Sequence, residues 1–368
     1  MSLLALLLAL GASAHPEPLS SVHAVIVSSS RYWFNYRHTA NALSFYQLLR
    51  SRGVPDSQIV LMLADDQACD ARNPLRGELP AGYPSQGAAE ADDVHAGRVQ
   101  VDYRGDEVSV DAVLRVLHDR HEPGTPTQKR LSSGARDNVL LFMTGHGGDG
   151  FLKFHDAEEL TGVDLALGVR AMAAERRYRE MVLLVDTCQA FTLCDEMGGV
   201  PGLLCGGSSV RDESSYSHHG DNLVANLLVD RFSHFATEYI RREKPQQSMK
   251  GLFEYLDPAR LASTLACNST LGRGLEHVEL GHFFGGAQAA PAEAAERAAV
   301  PIELALSEEA EAAGAETSDR RPGGAVGGAV WDANAVELLG AEAVDAERVL
   351  HVQALLAAAT ILLGLLYR

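Results

Sequence analysis

Four continuous apolar runs decide what this chain can fold into: His23–Val27, Ile59–Leu63, Asn138–Met143 and Met181–Val185. Each is short and apolar at successive positions, so each reads as a strand covered on both faces. Helical patterns lie between and after them. These are Ala40 to Arg52, stopped by Gly53 and Pro55, then Val163 to Arg179 and Leu223 to Arg241. Strands alternating with helices predict an α/β fold, a mostly parallel sheet flanked by helices. Ligand sites in such sheets lie beyond the carboxyl ends of the strands. The chemistry is therefore sought in the residues that follow each run.

The chain has 368 residues, enough for one large domain or two smaller ones. Lys and Arg number 31 against 49 Asp and Glu, a net charge of −18, which argues against nucleic acid as a partner. Five cysteines exclude a disulfide-dense scaffold. The apolar run Leu3–Leu10 followed by Ala12-Ser13-Ala14 reads as a secretory signal peptide over residues 1–14. A folded domain is expected over 22–285. Residues 286–348 are rich in Ala, Glu and Gly, bury too little apolar area to order themselves, and read as a tether. The apolar stretch 349–367, ending in Tyr367-Arg368, reads as a single C-terminal transmembrane helix, short enough to suit the thin endoplasmic-reticulum bilayer. With the signal removed, the body is lumenal. Asn268-Ser269-Thr270 is then a glycosylation sequon on a surface loop.

Two strand ends carry reactive side chains. The third run leads into Thr144-Gly145-His146-Gly147-Gly148-Asp149-Gly150, and the fourth into Asp186-Thr187-Cys188-Gln189. A thiol becomes a nucleophile as thiolate, and a nearby imidazole can take its proton. Glycines beside His146 let backbone N–H groups approach a substrate carbonyl, as an oxyanion hole requires. The order, histidine 42 residues before cysteine, is close to the caspase arrangement. No G-K-[ST] follows the glycines, which removes phosphate binding. A zinc site from His146, Cys188, Cys194 and Cys205 lacks the paired spacing such sites use. A Cys188–His146 dyad is the better reading. Besides Cys188, Cys69, Cys194, Cys205 and Cys267 remain, and an odd total leaves at least one thiol unpaired or bridged to another chain.

Four segments, Ser30–His38, Leu61–Asp66, Thr144–Phe154 and Val185–Gln189, closely resemble the catalytic subunits of glycosylphosphatidylinositol (GPI) transamidases. Those are legumain-like cysteine peptidases of the caspase–hemoglobinase fold. The resemblance implies a caspase-like catalytic domain with Cys188 as nucleophile, His146 as base and Asn35 orienting the imidazole. It implies that Gly147 N–H, with that of Cys188, forms the oxyanion hole, and that Arg37, Asp186 and Ser215 form the substrate pocket. It implies a calcium ion held by Asp56, the Ile59 carbonyl, Gln100 and Asp102, where Gln100 replaces the usual glutamate and leaves fewer charged oxygens. The covalent chemistry itself needs no cofactor. The expected partners are other subunits of a membrane complex, one disulfide-linked through Cys69, together with GPI lipid and precursor proteins bearing C-terminal signals. The alternative is a legumain-like asparaginyl endopeptidase, which shares the chemistry up to the thioester.

Overall fold

The computed structural model describes residues 21–82, 93–97 and 99–286. The expected signal peptide, the transmembrane stretch 349–367 and all of the tether beyond Gly286 lie outside the described residues. Among the described residues no helix is long and apolar enough to cross a membrane.

Among the described residues, twelve strands run in chain order: β1 (Val22–Ser28), β2 (Ile59–Leu63), β3 (Tyr103–Arg104), β4 (Asn138–Thr144), β5 (Gly147–Gly148), β6 (Phe151–Phe154), β7 (Glu158–Thr161), β8 (Glu180–Asp186), β9 (Leu203–Gly207), β10 (Ser217–Asp221), β11 (Asn226–Asp230) and β12 (Ala266–Ser269). The main sheet has the order β12-β9-β8-β4-β1-β2-β3. All of its pairings are parallel except β12 on β9. The four apolar runs are the four central strands, buried at every position.

Alternation along these strands supplies two cores. Ala24, Ile26, Leu140, Phe142, Val182 and Leu184 face one side, where helices α1 (Tyr36–Ser51) and, later in the chain, Arg231–Arg242 pack. Phe45 of α1 stacks on Phe142 at 4.0 Å. Val25, Val27, Leu141, Leu183 and Val185 face the other side, against α2 (Val110–His118) and α3 (Gly162–Ala174). Burial on both faces is why these strands lack polar alternation.

Two helix readings need correction. The helix expected over Val163 to Arg179 ends at Ala174. Arg176 then takes a left-handed backbone, and Arg177 turns its guanidinium onto the carbonyls of Leu117, Val116 and Leu131. The helix expected from Leu223 begins only at Arg231, as α4 (Arg231–Arg242). Residues before it form the antiparallel hairpin β10–β11. Leu223 and Leu227 are exposed, so their helix-like spacing faces no core. The Asp221 carboxylate accepts the N–H groups of Leu223 and Val224 and fixes the turn instead.

Candidate active site

β4 and β8 are parallel neighbours with Thr144 opposite Asp186. His146 and Cys188 each lie two residues beyond that pair, so adjacent strands about 4.8 Å apart deliver both to the carboxyl end of the sheet. The loops touch. A Cβ on Gly147 would lie 2.7 Å from Thr187 Oγ1 and 2.7 Å from the Phe151 carbonyl oxygen, and one on Gly145 would strike Ser29 Oγ. Only glycine fits either position. Beyond half-buried Cys188, Gln189 adopts φ 53°, a left-handed conformation that turns the chain sharply. Its N–H donates to the Glu213 carbonyl. Ser209 accepts the Ala190 N–H and donates to the Thr187 carbonyl, which pins the loop on both sides of the thiol.

Asn35 closes the arrangement. It occupies the residue before α1, where a short polar side chain would ordinarily cap the helix, yet it makes no cap bond. Its amide Nδ2 donates to the Arg31 carbonyl at 2.7 Å, which orients Oδ1 toward His146 Nε2, 2.8 Å away. Oδ1 can only accept, so His146 carries its proton on Nε2 and leaves Nδ1 for proton transfer. Burial, aided by the positive charge of Arg37, lowers the His146 pKa below the ordinary 6.5, so the ring is neutral and basic at pH 7. The His38 ring meets it edge-on at 4.9 Å.

The three expected pocket residues fall into two hydrogen-bonded groups, Ser215 around Asp186 and Arg37 on Asp230. Asp186 is 1% exposed. Its Oδ1 accepts from Ser215 Oγ at 2.8 Å and its Oδ2 from Ser233 Oγ at 2.7 Å. Arg37 Nε lies 3.1 Å from Asp230 Oδ1. Asp230 also accepts from Asn41 Nδ2 at 2.6 Å, and Asn41 reaches Thr144 Oγ1 at 3.0 Å. Burial raises both carboxyl pKa values, and Asp186 adds to the shift at Asp230. Sequence reasoning missed Asn41, Asp230 and Ser233. Asp immediately before a helix was a usable signal, although it points to capping, whereas this carboxylate turns to Arg37.

The positions expected to hold calcium gather at the far edge of the sheet. Asp56 Oδ1 accepts from Tyr46 Oη at 2.6 Å. Asp102 Oδ2 accepts the Leu61 N–H at 2.9 Å, and Oδ1 accepts from Gln100 Nε2 at 3.3 Å. Ile59 opens β2 beside them. Burial, with a contribution from the Asp56 charge, raises the Asp102 pKa to about 6. A carboxylate whose charge is disfavoured by burial and by a neighbouring carboxylate suits a hard cation, while Gln100 offers this group its NH₂ rather than an oxygen. Cys69 is exposed and free. Cys194 and Cys205 form a disulfide, which removes them from any zinc set. Cys267 is free. Asn268 is exposed, but it lies in edge strand β12 rather than in a loop.

Among relatives, a GPI-anchor transamidase of Schizosaccharomyces pombe is 41% identical over 71% of this chain and 68% of its own length. One of Mus musculus is 43% identical over 71% of this chain and 66% of its own. Among solved structures, caspase-1 from Spodoptera frugiperda covers 74% of this chain and 93% of its own at 11% identity and a TM-score of 0.43. A model of the Peptidase C13 family matches residues 22–263. That span runs from the first strand past the last helix of the pocket and takes in Asn35, His146 and Cys188, so the chain belongs to the Peptidase C13 family.

Proposed function

We propose that this chain is the catalytic subunit of a GPI transamidase, with Cys188 as nucleophile and His146 as its proton shuttle. The observation that carries the proposal is the Asn35–His146 hydrogen bond at the same carboxyl end of the sheet as the Cys188 loop. His146 Nδ1 takes the thiol proton, and the thiolate attacks the carbonyl of the attachment residue in a precursor protein. The oxyanion rests on the N–H groups of Gly147 and Cys188. Protonated His146 returns its proton to the departing amine of the C-terminal signal peptide, leaving a thioester. The ethanolamine amine of a GPI lipid attacks that thioester, loses a proton to His146, and expels Cys188. Water must be kept from the acyl-enzyme, or the reaction becomes hydrolysis.

The names of the relatives favour this reading over a legumain-like endopeptidase. Arg37, Ser215 and, behind it, Asp186 form the pocket for a small polar attachment residue. We place the domain in the endoplasmic-reticulum lumen, held by a single C-terminal span, with Cys69 bridging to a partner subunit and Asn268 glycosylated. Exposure of Cys69 and Asn268 supports both modifications. Calcium, held by Asp56, Asp102, the Ile59 carbonyl and Gln100, would supply a structural tie at the sheet edge and takes no part in acyl transfer.

Cys188→Ala in cells lacking the native subunit tests the proposal. Anchor attachment should disappear, whereas attachment at the wild-type level would refute the nucleophile. Asn35→Ala should retain activity reduced by roughly a hundredfold, because the ring loses its orientation but not its chemistry.

A further inference from the structure

A second cluster of nitrogen ligands lies outside the catalytic loops. Hairpin β10–β11 carries His218 and His219, and α4 carries His234. Successive residues of a strand normally point to opposite faces. Here His219 adopts φ 56°, a left-handed backbone that a non-glycine residue enters at a cost. The effect is to stack the two rings at 4.0 Å with 28° between their planes, so both lie on the side of α4. His234 meets them edge-on, 5.2 Å from His218 and 4.6 Å from His219 between ring centres. His219 Nε2 and His234 Nε2 are 3.4 Å apart, and one ligand nitrogen from each of the three rings lies within 4.8 Å of the others.

Those distances have a chemical meaning. Two imidazole nitrogens on one tetrahedral zinc, each about 2.0–2.1 Å from the metal, stand about 3.3–3.4 Å apart. The His219–His234 pair already has that separation, and His218 needs only a small ring movement to complete three ligands. Of the cations on the neighbouring helix, Arg231 and Arg241 act on these rings. Arg231 directs its Nε to the Arg260 carbonyl and its guanidinium over the Phe235 ring. Burial and the neighbouring charges lower His219 and His234 to about 4, so both rings are neutral at pH 7, the form that binds metal.

We propose that His218, His219 and His234 form a three-histidine zinc site that clamps hairpin β10–β11 to α4, with a water in the fourth position. The clamp would bear on the pocket. β10 starts two residues after Ser215, and β11 ends at Asp230, the partner of Arg37. The site stands independently of the transamidase reading, since none of its ligands handles substrate.

The test uses the full chain purified without a histidine tag, treated with chelator, then equilibrated with zinc. The wild-type chain should retain one zinc per molecule and melt at a higher temperature with it. His219→Gln and His234→Gln should each weaken binding by at least about tenfold, and Cys188→Ala should not. Cobalt-loaded wild-type protein needs no variant to fold. It should show the visible bands of a tetrahedral nitrogen–oxygen site without a sulfur-to-metal charge-transfer band. A chain that retains no zinc, glutamine variants that bind as wild type, or a thiolate band in the cobalt spectrum would each overturn the site.

Discussion

Two groups of buried carboxylates in this molecule solve the same problem in different ways. In the pocket, Asp186 and Asp230 are surrounded by donors of the chain itself: two serine hydroxyls for one, a guanidinium and an amide for the other. At the sheet edge, Asp102 has one backbone N–H and a long amide contact, and Asp56 stands near with the same charge. A buried charge is tolerated where hydrogen bonds or an opposite charge replace its water. The pocket is complete from sequence-encoded parts. The edge is completed by a cation or by a proton.

The largest expected effect breaks the pocket. Asp230→Ala strands Arg37 and the Asn41 amide without their acceptor, and removing one partner of a buried ion pair costs about 3–5 kcal/mol. Urea unfolding of the catalytic domain measures it. Asp102→Asn at the edge should instead be close to neutral in chelator, because it relieves repulsion while keeping the shape. Equal losses for the two variants would show that the two regions are built alike.

A smaller effect separates cation from proton at the edge. Calcium at a hundred times its dissociation constant should add about 2.7 kcal/mol to wild-type stability and nothing to Asp102→Asn. The pH dependence without calcium has a definite sign. The folded Asp102 pKa, about 6, lies above its ordinary 3.8. Its protonated form therefore supports the fold below pH 4, and that support is lost as pH rises through 6. The histidines with lowered pKa values, among them His23, His146, His219 and His234, act oppositely, costing stability as pH falls below 6.5. The wild-type curve minus the Asp102→Asn curve isolates the carboxylate. A difference that grows in favour of wild type with rising pH would contradict it.

The same contrast explains what could be read from the sequence. The central strands were legible because burial on both faces leaves an unbroken apolar run, and the parallel order then fixes where His146 and Cys188 emerge. Ile59–Leu63 was read with the bounds the structure gives it. The hairpin 217–230 was not legible, because Leu223, Leu227 and Leu228 mimic a helical stripe while Ala225 turns the chain through a left-handed conformation. Strand β9 ends in two glycines and β12 is a polar edge, so neither shows an apolar run. Asn35 looks like a helix cap by itself. Its tie to His146 depends on contact across 111 residues, which only the resemblance anticipated. The Cys194–Cys205 bridge was one of several open pairings.

The smallest effect concerns His146, which combines features of both regions. Burial is the main cause of its lowered pKa, with charged neighbours adding smaller and opposing contributions: Arg37 and Lys153 lower it, and Asp156 raises it. If burial sets the titration of this base, substitutions of the charged neighbours should barely move it. Lys153→Gln removes a cation and should shift the acid limb of kcat/KM upward; Asp156→Asn removes an anion and should shift it downward. Each shift should stay below about half a pH unit, since a full unit would require about 1.4 kcal/mol from a partly solvated charge. Lys153 bonds His146 through its backbone N–H on the His146 carbonyl, which Lys153→Gln keeps, so kcat on the plateau should hold. Shifts of a unit or more would mean that charge, not burial, sets the base at the residue where it matters most for acyl transfer.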